Sequence, residues 1–261
     1  MNQQSLIIMN ENYFDQPLSW TRLKKWLDGK TTEPRETVEQ TLGRAVHARL
    51  LQPVEYMQRR AIYNAPINPK TGAEYGADTK AAQSARAEFE STLPDDAIVL
   101  SPCDAIRVER IAEAARNAEF YVEPNAVVEH HVERVVNVNG VDVALHGYVD
   151  KYIDGAVDGY TFVNIDELKT TGKPIAAFSG KDKFYWEAHE LGYLHQLAFY
   201  SLLLGRDVTN CRIIVVETVE PFRVATVNVR YQTIKRCLSD ILEVFLPAWL
   251  DQKRPDLILE Y

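Results

Sequence analysis

Cysteine is scarce in this chain. Cys103, Cys211 and Cys237 are the only three in 261 residues, and they lie far apart. An odd number at that spacing builds neither a zinc knuckle nor a disulfide framework, and points to buried thiols in a reducing cytosol. Long apolar runs are missing too. No stretch approaches the ~18 residues a membrane span requires. Met1 to Asn12 holds only the short apolar run Leu6 to Met9 with no basic flank, so no signal peptide is expected. Internal repeats and low-complexity linkers are absent. So is an excess of positive charge: 29 − 37 leaves a net charge of −8. As a whole, such a chain is a poor electrostatic partner for nucleic acid.

Net charge says little about local fields, however, and a site that binds Mg²⁺ must itself be acidic. The run Arg22, Lys24, Lys25, Lys30, Arg35, Arg44, Arg49, Arg59 and Arg60 is locally basic, as is Lys169, Lys173, Lys181 and Lys183. Either can line a phosphate track, although a solvated charged face is the commoner meaning of such runs. Charge alone leaves the question open.

What is present is an ordinary globular composition, 46% hydrophobic and 25% charged, with length enough for a substantial core. Ser19 is placed to cap a short helix that Gly29 ends. A second helix is expected from about Thr37 to Leu51, stopped by Pro53. Asn64 to Gly76, rich in Pro, Asn and Gly, reads as a loop. Helices follow at about Ala77 to Leu93 and Cys103 to Tyr121. Then the hydrophobic period shifts from helix to strand. Val127 to Val138 and Val141 to Asp150 flank Asn139-Gly140, a strong hairpin signal because a type I′ turn needs two residues at positive φ. After two Asp-Gly turns (154–155 and 158–159) a third strand spans about Tyr160 to Lys169. A long helix runs from about Trp186 to Leu204 and ends at Gly205. Strands at Arg212 to Thr218 and Arg223 to Val229 precede a last helix, Tyr231 to Leu250. The order predicts one α/β domain (α+β mixed), with a mainly helical part over 1–125, a sheet core over 126–230 and a C-terminal helix over 231–261.

The chemistry is concentrated on two neighbouring strands. In Ile165-Asp166-Glu167-Leu168-Lys169, alternation puts Glu167 and Lys169 on one face. Asp150 closes the preceding expected strand. Adjacent strands lie ~4.8 Å apart, so Asp150 and Glu167 are in reach of one shared cation. Carboxylates are the ligands Mg²⁺ prefers, and the carbonyl of Leu168 is a further donor. Such a cation neutralises charge on a phosphodiester and acidifies water, while a lysine assists by position and charge. Asp166 beside Glu167 leaves open which acid is used.

Longer segments carry a resemblance. Leu42-Gly43-Arg44-Ala45-Val46-His47, His146-Gly147-Tyr148-Val149-Asp150, Ile165 to Thr171, Tyr193-Leu194-His195-Gln196-Leu197-Ala198-Phe199-Tyr200 and the loop Asn68 to Gly76 together resemble the RecE-type (exonuclease VIII-like) branch of the PD-(D/E)XK nucleases, relatives of the RecB-type nuclease domains. The match runs from about Tyr13 to Gly205. It implies a restriction-endonuclease-like core, with a central mixed β-sheet flanked by helices and N-terminal helical additions. Asp150 and Glu167 are implied as paired carboxylates, Lys169 as the catalytic lysine, His47 as an extra metal ligand, and Gln196 and Tyr200 as helix residues that contact substrate or steady the site. The motif's proline is replaced by Val149, and the four-cysteine cluster signature of some relatives is missing, so no iron–sulfur centre is expected.

What the resemblance implies functionally is a Mg²⁺-dependent (Mn²⁺-tolerant) exonuclease on double-stranded DNA ends, cytoplasmic and bacterial or phage-encoded. It also implies 5′→3′ resection for recombination, a single-strand annealing partner and a homo-oligomeric ring. A RecB-like or restriction-like endonuclease and an inactive binding module are the alternatives. Residue by residue, blander readings stand beside these. Without the resemblance His47 reads more often as an ordinary helix residue, although Gly43 one turn earlier would open room beside it for a metal or phosphate. Gln196 and Tyr200, one turn apart on an apolar helix, need polar partners that the site or the sheet can supply. Glu129 either supports Lys169 or faces solvent. Trp20 and Trp26 read as core on a short amphipathic helix, with aromatic stacking on DNA as the alternative. His130, His131, His146, His189 and His195 show no metal-binding spacing.

Overall fold

In the computed structural model the described residues are 16–30, 36–118, 120, 122–157, 160–175, 187–206 and 208–253. Met1 to Asn12, Arg35, Tyr121, the Asp158-Gly159 turn, Lys181, Lys183 and the expected helix start at Trp186 lie outside them. The sheet has five strands in chain order: β3 (Val127–Val138), β4 (Val141–Val157), β5 (Tyr160–Thr171), β6 (Val208–Glu217) and β7 (Val224–Val229). Only β5 and β6 run parallel, so the sheet is mixed, as expected. Strands β1 (Arg60–Ile62) and β2 (Ile98–Leu100) form a separate parallel pair. Sequence periodicity misses them because three residues are too short to show a period.

Helices cover both faces. α1 (Trp20–Leu27), α6 (Tyr193–Leu204), α7 (Tyr231–Ser239) and α8 (Leu246–Leu250) share one core with Val163, Ile165, Ile213 and Val215 of the sheet. α2 (Val38–Leu51), α3 (Pro53–Arg59) and α5 (Pro102–Asn117) pack on the other face against Leu168, Ile214 and Val216. α4 (Lys80–Glu90) lies on the periphery, with only Ala82 buried. Local chemistry fixes the ends of several elements. Ser19 caps α1 by accepting from the Arg22 amide at 3.3 Å, and Thr37 with Gln40 forms a capping box on α2. Asn139 and Gly140 sit at φ 52° and 85°, the two positive values that a type I′ turn requires. Trp20 and Trp26 are buried, as read from the sequence. Cys211 and Cys237 are buried as well, but Cys103 is exposed, against expectation.

Four expectations need correction. Pro53 does not stop the helical region; it opens α3 at a first-turn position, where its missing N–H costs nothing. Asp154-Gly155 is not a turn but an interior stretch of β4, paired with Val163 and Phe162. Glycine is needed there because the Phe162 ring fills the space that a Cβ would occupy. The expected long helix over Trp186 to Leu204 is interrupted before α6 by Gly192, at φ 77°. The last helix contains a π-helical turn, Asp240–Phe245, just ahead of Pro247, which cannot supply an N–H to the carbonyl four residues back.

Candidate active site

The described pairing of β4 with β5 ends at Lys151↔Asp166. Beyond it β4 continues beside β3, and β5 beside β6, so the sheet forks. Asp150 and Glu167 are the next residue on each arm. Asp150 Oδ2 takes the Leu168 N–H at 2.8 Å in place of a ladder bond. In extended backbone a residue's N–H and C=O leave toward the same edge, so the Leu168 carbonyl also points into the fork.

The opposite edge of β4 is irregular at the same level. The β3–β4 register runs from Val127↔Tyr152 to Val138↔Val141 with a single omission, Glu129 opposite Asp150. Glu129 has φ 46°, an uncommon backbone conformation for a non-glycine residue. The break resets the alternation of β4. Val149 packs in the core with α6, whereas Lys151, two residues on, turns to the other face and pairs with Asp166. β5 itself alternates regularly here, so Val163 and Ile165 lead to Glu167 on one face and Asp166 leaves on the other.

Glu167 and Asp166 therefore occupy separate environments. Asp166 is held by Arg212 through two bonds, of 2.6 and 2.5 Å, and by Lys151 at 2.8 Å; Lys151 in turn pairs with Glu123 at 2.6 Å. These bonds account for the Asp166 charge without any ligand. Glu167 is completely buried. Lys169 Nζ lies against its Oε1, yet neither carboxylate oxygen receives a directed hydrogen bond from the described residues.

Side chains from both helical layers converge in the fork. From α2, His47 Nδ1 stands 3.8 Å from Asp150 Oδ2 and 3.8 Å from Glu129 Oε1. The donor atoms of His47, Glu129 and Asp150 all lie within 4.8 Å of one another. From α6, Gln196 accepts from Lys169 Nζ at 3.0 Å and donates to the Tyr200 hydroxyl at 2.7 Å. Lys169 Nζ also sits 4.7 Å above the Tyr193 ring, a cation–π contact. Thus His47, Asp150, Glu167, Leu168, Lys169, Gln196 and Tyr200 are brought together. Glu129 is in the same group, but facing His47 and Asp150 rather than Lys169. Tyr193 was not singled out, although its spacing from Gln196 and Tyr200, i, i+3 and i+7, was a usable signal. Gly43 leaves no room for a ligand, contrary to expectation. A Cβ there would lie 2.8 Å from Thr170 Oγ1, so glycine instead lets α2 close onto β5.

The electrostatics suit a cation. Burial, then the neighbouring Asp150, pushes the Glu167 carboxyl up to about 7 despite Lys169. Burial opposes a charged Lys169, but Glu167 and Asp150 outweigh it and raise its pKa. At His47 burial likewise opposes protonation, and Asp150 with Glu129 reverses the sign. Burial raises the Tyr200 hydroxyl well above its ordinary value, which leaves it a neutral hydrogen-bonding group. A buried carboxylate lacking directed hydrogen bonds, beside a second carboxylate, a third and an imidazole, is a donor set that a hard divalent ion would satisfy.

The sequence profile of the PD-(D/E)XK nuclease superfamily matches residues 17–240. Among solved structures, the chain is similar to a protein from Eubacterium rectale provisionally assigned as an exonuclease. Identity is 12%, coverage is 96% of this chain and 86% of that one, and the TM-score is 0.50. A phage-related exonuclease from Haemophilus somnus 129PT is 13% identical, with 91% and 97% covered and a TM-score of 0.34. No curated protein matches the chain.

Proposed function

The chain belongs to the PD-(D/E)XK nuclease superfamily, and from that membership we propose that it is a Mg²⁺-dependent exonuclease on linear double-stranded DNA. The observation that carries this reading is the fork between β4 and β5, where Asp150, Glu167 and Lys169 meet with His47 and Glu129. Asp150, Glu167 and the Leu168 carbonyl are the residues to hold the cation, with His47 and Glu129 beside them. When bound, the ion supplies an acidified water and a counter-charge for the phosphodiester oxygens.

The chain's own groups do the rest. Glu167 would hold the cation as a carboxylate and would have to give up its proton to do so. Lys169, kept charged by Glu167 and Asp150, presents a fixed positive charge to the developing phosphorane and orients the attacking water. Gln196 fixes the Lys169 ammonium, Tyr200 fixes the Gln196 amide, and Tyr193 bounds the same ammonium from below. The lysine is thereby held in one position before DNA arrives, which lowers the reorganisation needed during reaction.

The finer reading is 5′→3′ resection at DNA ends that feeds an annealing partner, with a ring of subunits supplying processivity. It rests on the RecE-like sequence segments. Incubating the protein with linear and covalently closed duplex, with Mg²⁺ or EDTA, tests exonuclease action. Degradation of the linear form alone, abolished by EDTA, is expected. Cleavage of closed circles would replace the exonuclease with an endonuclease.

A further inference from the structure

A second group of metal-binding side chains lies on a different face of α6. His195 precedes Gln196, and consecutive helical residues diverge by about 100°, so His195 points away from Lys169. The donor atoms of His195, Cys237 and Asp240 all lie within 4.8 Å of one another. Cys237 and Asp240 are three residues apart at the end of α7, hence on one helical face. The His189 ring meets the His195 ring edge-on at 5.2 Å. Trp20 stacks on His195 at 5.6 Å and 11°, and Phe245 lies 5.3 Å away, which fixes the imidazole plane.

We infer that His195, Cys237 and Asp240 form a zinc site that ties α6 to α7. The donor chemistry is that of zinc and not of magnesium. A thiolate and an imidazole are soft to borderline ligands, whereas the fork offers mainly oxygen. Geometry agrees. His195 Nε2 and Asp240 Oδ2 are 3.2 Å apart, and two such donors on one tetrahedral zinc stand about 3.3 Å apart. Without an ion the same pair is hydrogen-bonded, so the two donors already stand at the spacing an ion would need. Charge agrees as well. One thiolate, one carboxylate and a neutral imidazole cancel a dication, as a site with His195 and Cys237 buried requires. Asp240 is partly exposed and gives the ion an entry path. The site stands independently of the nuclease reading. Its consequence is mechanical: α6 carries Gln196 and Tyr200, and the ion would fix that helix from its other side.

The test is a titration of the chelator-stripped, full-length protein with Co²⁺ and Zn²⁺. Wild type is expected to hold one zinc per chain at this site, and with Co²⁺ to show tetrahedral visible bands plus thiolate-to-metal charge transfer. Cys237→Ser should lose the charge-transfer band. It should also lower zinc affinity by about 100-fold or more, because even outer partners of a metal are worth roughly 10–100-fold. Asp240→Asn, at a partly exposed position, provides a second variant if Cys237→Ser does not fold, and should weaken zinc at least about tenfold. None of the groups that would hold the nuclease cation is a cysteine, and loss of the band in Cys237→Ser assigns it to this site rather than to Cys211 near Glu167. A wild type without that band at saturating Co²⁺, or a band and zinc affinity unchanged in both variants, would overturn the proposal.

Discussion

Asp166 and Glu167 leave β5 on opposite faces, so one substitution at each separates charge used in folding from charge used in chemistry. Asp166 is the hub of a buried ion cluster with Arg212 and Lys151. Asp166→Asn should therefore cost stability, on the order of 3 kcal/mol, while its folded fraction retains a substantial part of wild-type activity. Glu167→Gln should fold at least as well as wild type and be inactive at saturating Mg²⁺. Melting curves and cleavage assays on both variants check this; the reverse ranking would move the ligand to Asp166. Glu167 also dictates a pH dependence. Its folded pKa, about 7, lies above the ordinary 4.5, so the folded state holds the extra proton between those values. In metal-free protein this contribution to stability is present below about 4.5 and lost as pH rises through 7. Mg²⁺ affinity should move the opposite way, strengthening as pH rises to about 7. Calorimetric titrations across this range should show that trend in wild type. A pH-independent Mg²⁺ affinity would show that Glu167 is not titrating against the ion.

At the scale of elements, the site depends on how closely α2 approaches β5. Gly43 meets the Thr170 hydroxyl one turn before His47. Gly43→Ala should push α2 outward, cost roughly 1–3 kcal/mol by overpacking and raise the Mg²⁺ concentration needed for activity. Thr170→Ala in the same chain removes the clashing oxygen and should restore much of both. A double variant no better than Gly43→Ala would mean that another contact sets the helix position. Much of this framework was legible in the sequence, because each signal is local. The capping residue Ser19, the Asn139-Gly140 turn and the apolar runs of β5 and α6 stand where their chemistry places them. Glu167 and Lys169 follow from alternation along a regular strand. The less legible parts depend on long-range contacts. Asp154-Gly155 resembles a turn until Phe162 covers the glycine. The left-handed residue at Glu129 carries no sequence signature, yet it resets the neighbouring strand and brings a third carboxylate to His47. Cys237 and Asp240 lie together at the end of α7 while His195 is on α6, and only the packing of those helices makes the three neighbours.

For the whole molecule, much of the local positive charge is absorbed by internal ion pairs. Several cations of the N-terminal basic run are paired internally: Lys24 and Lys30 with Asp28, Arg44 with Glu36, Arg49 and Arg60 with Glu109, and Arg59 with Asp96. They make a weak case for a phosphate track, because each is already near a carboxylate. No helix among the described residues is long and apolar enough to cross a membrane. The functional reading thus rests on the forked sheet, where two strands part and two helical layers meet. Asp150 lies at its centre, accepting the Leu168 amide on one side and facing His47 on the other. The decisive measurement is cleavage of end-labelled linear duplex by Asp150→Asn at saturating Mg²⁺, with circular dichroism confirming the fold. The amide keeps the carboxylate's shape but not the charge that holds the cation. Loss of cleavage by about two orders of magnitude or more, in a folded protein, is the predicted result. Undiminished cleavage by the folded variant would contradict the assignment of the fork as the nuclease centre.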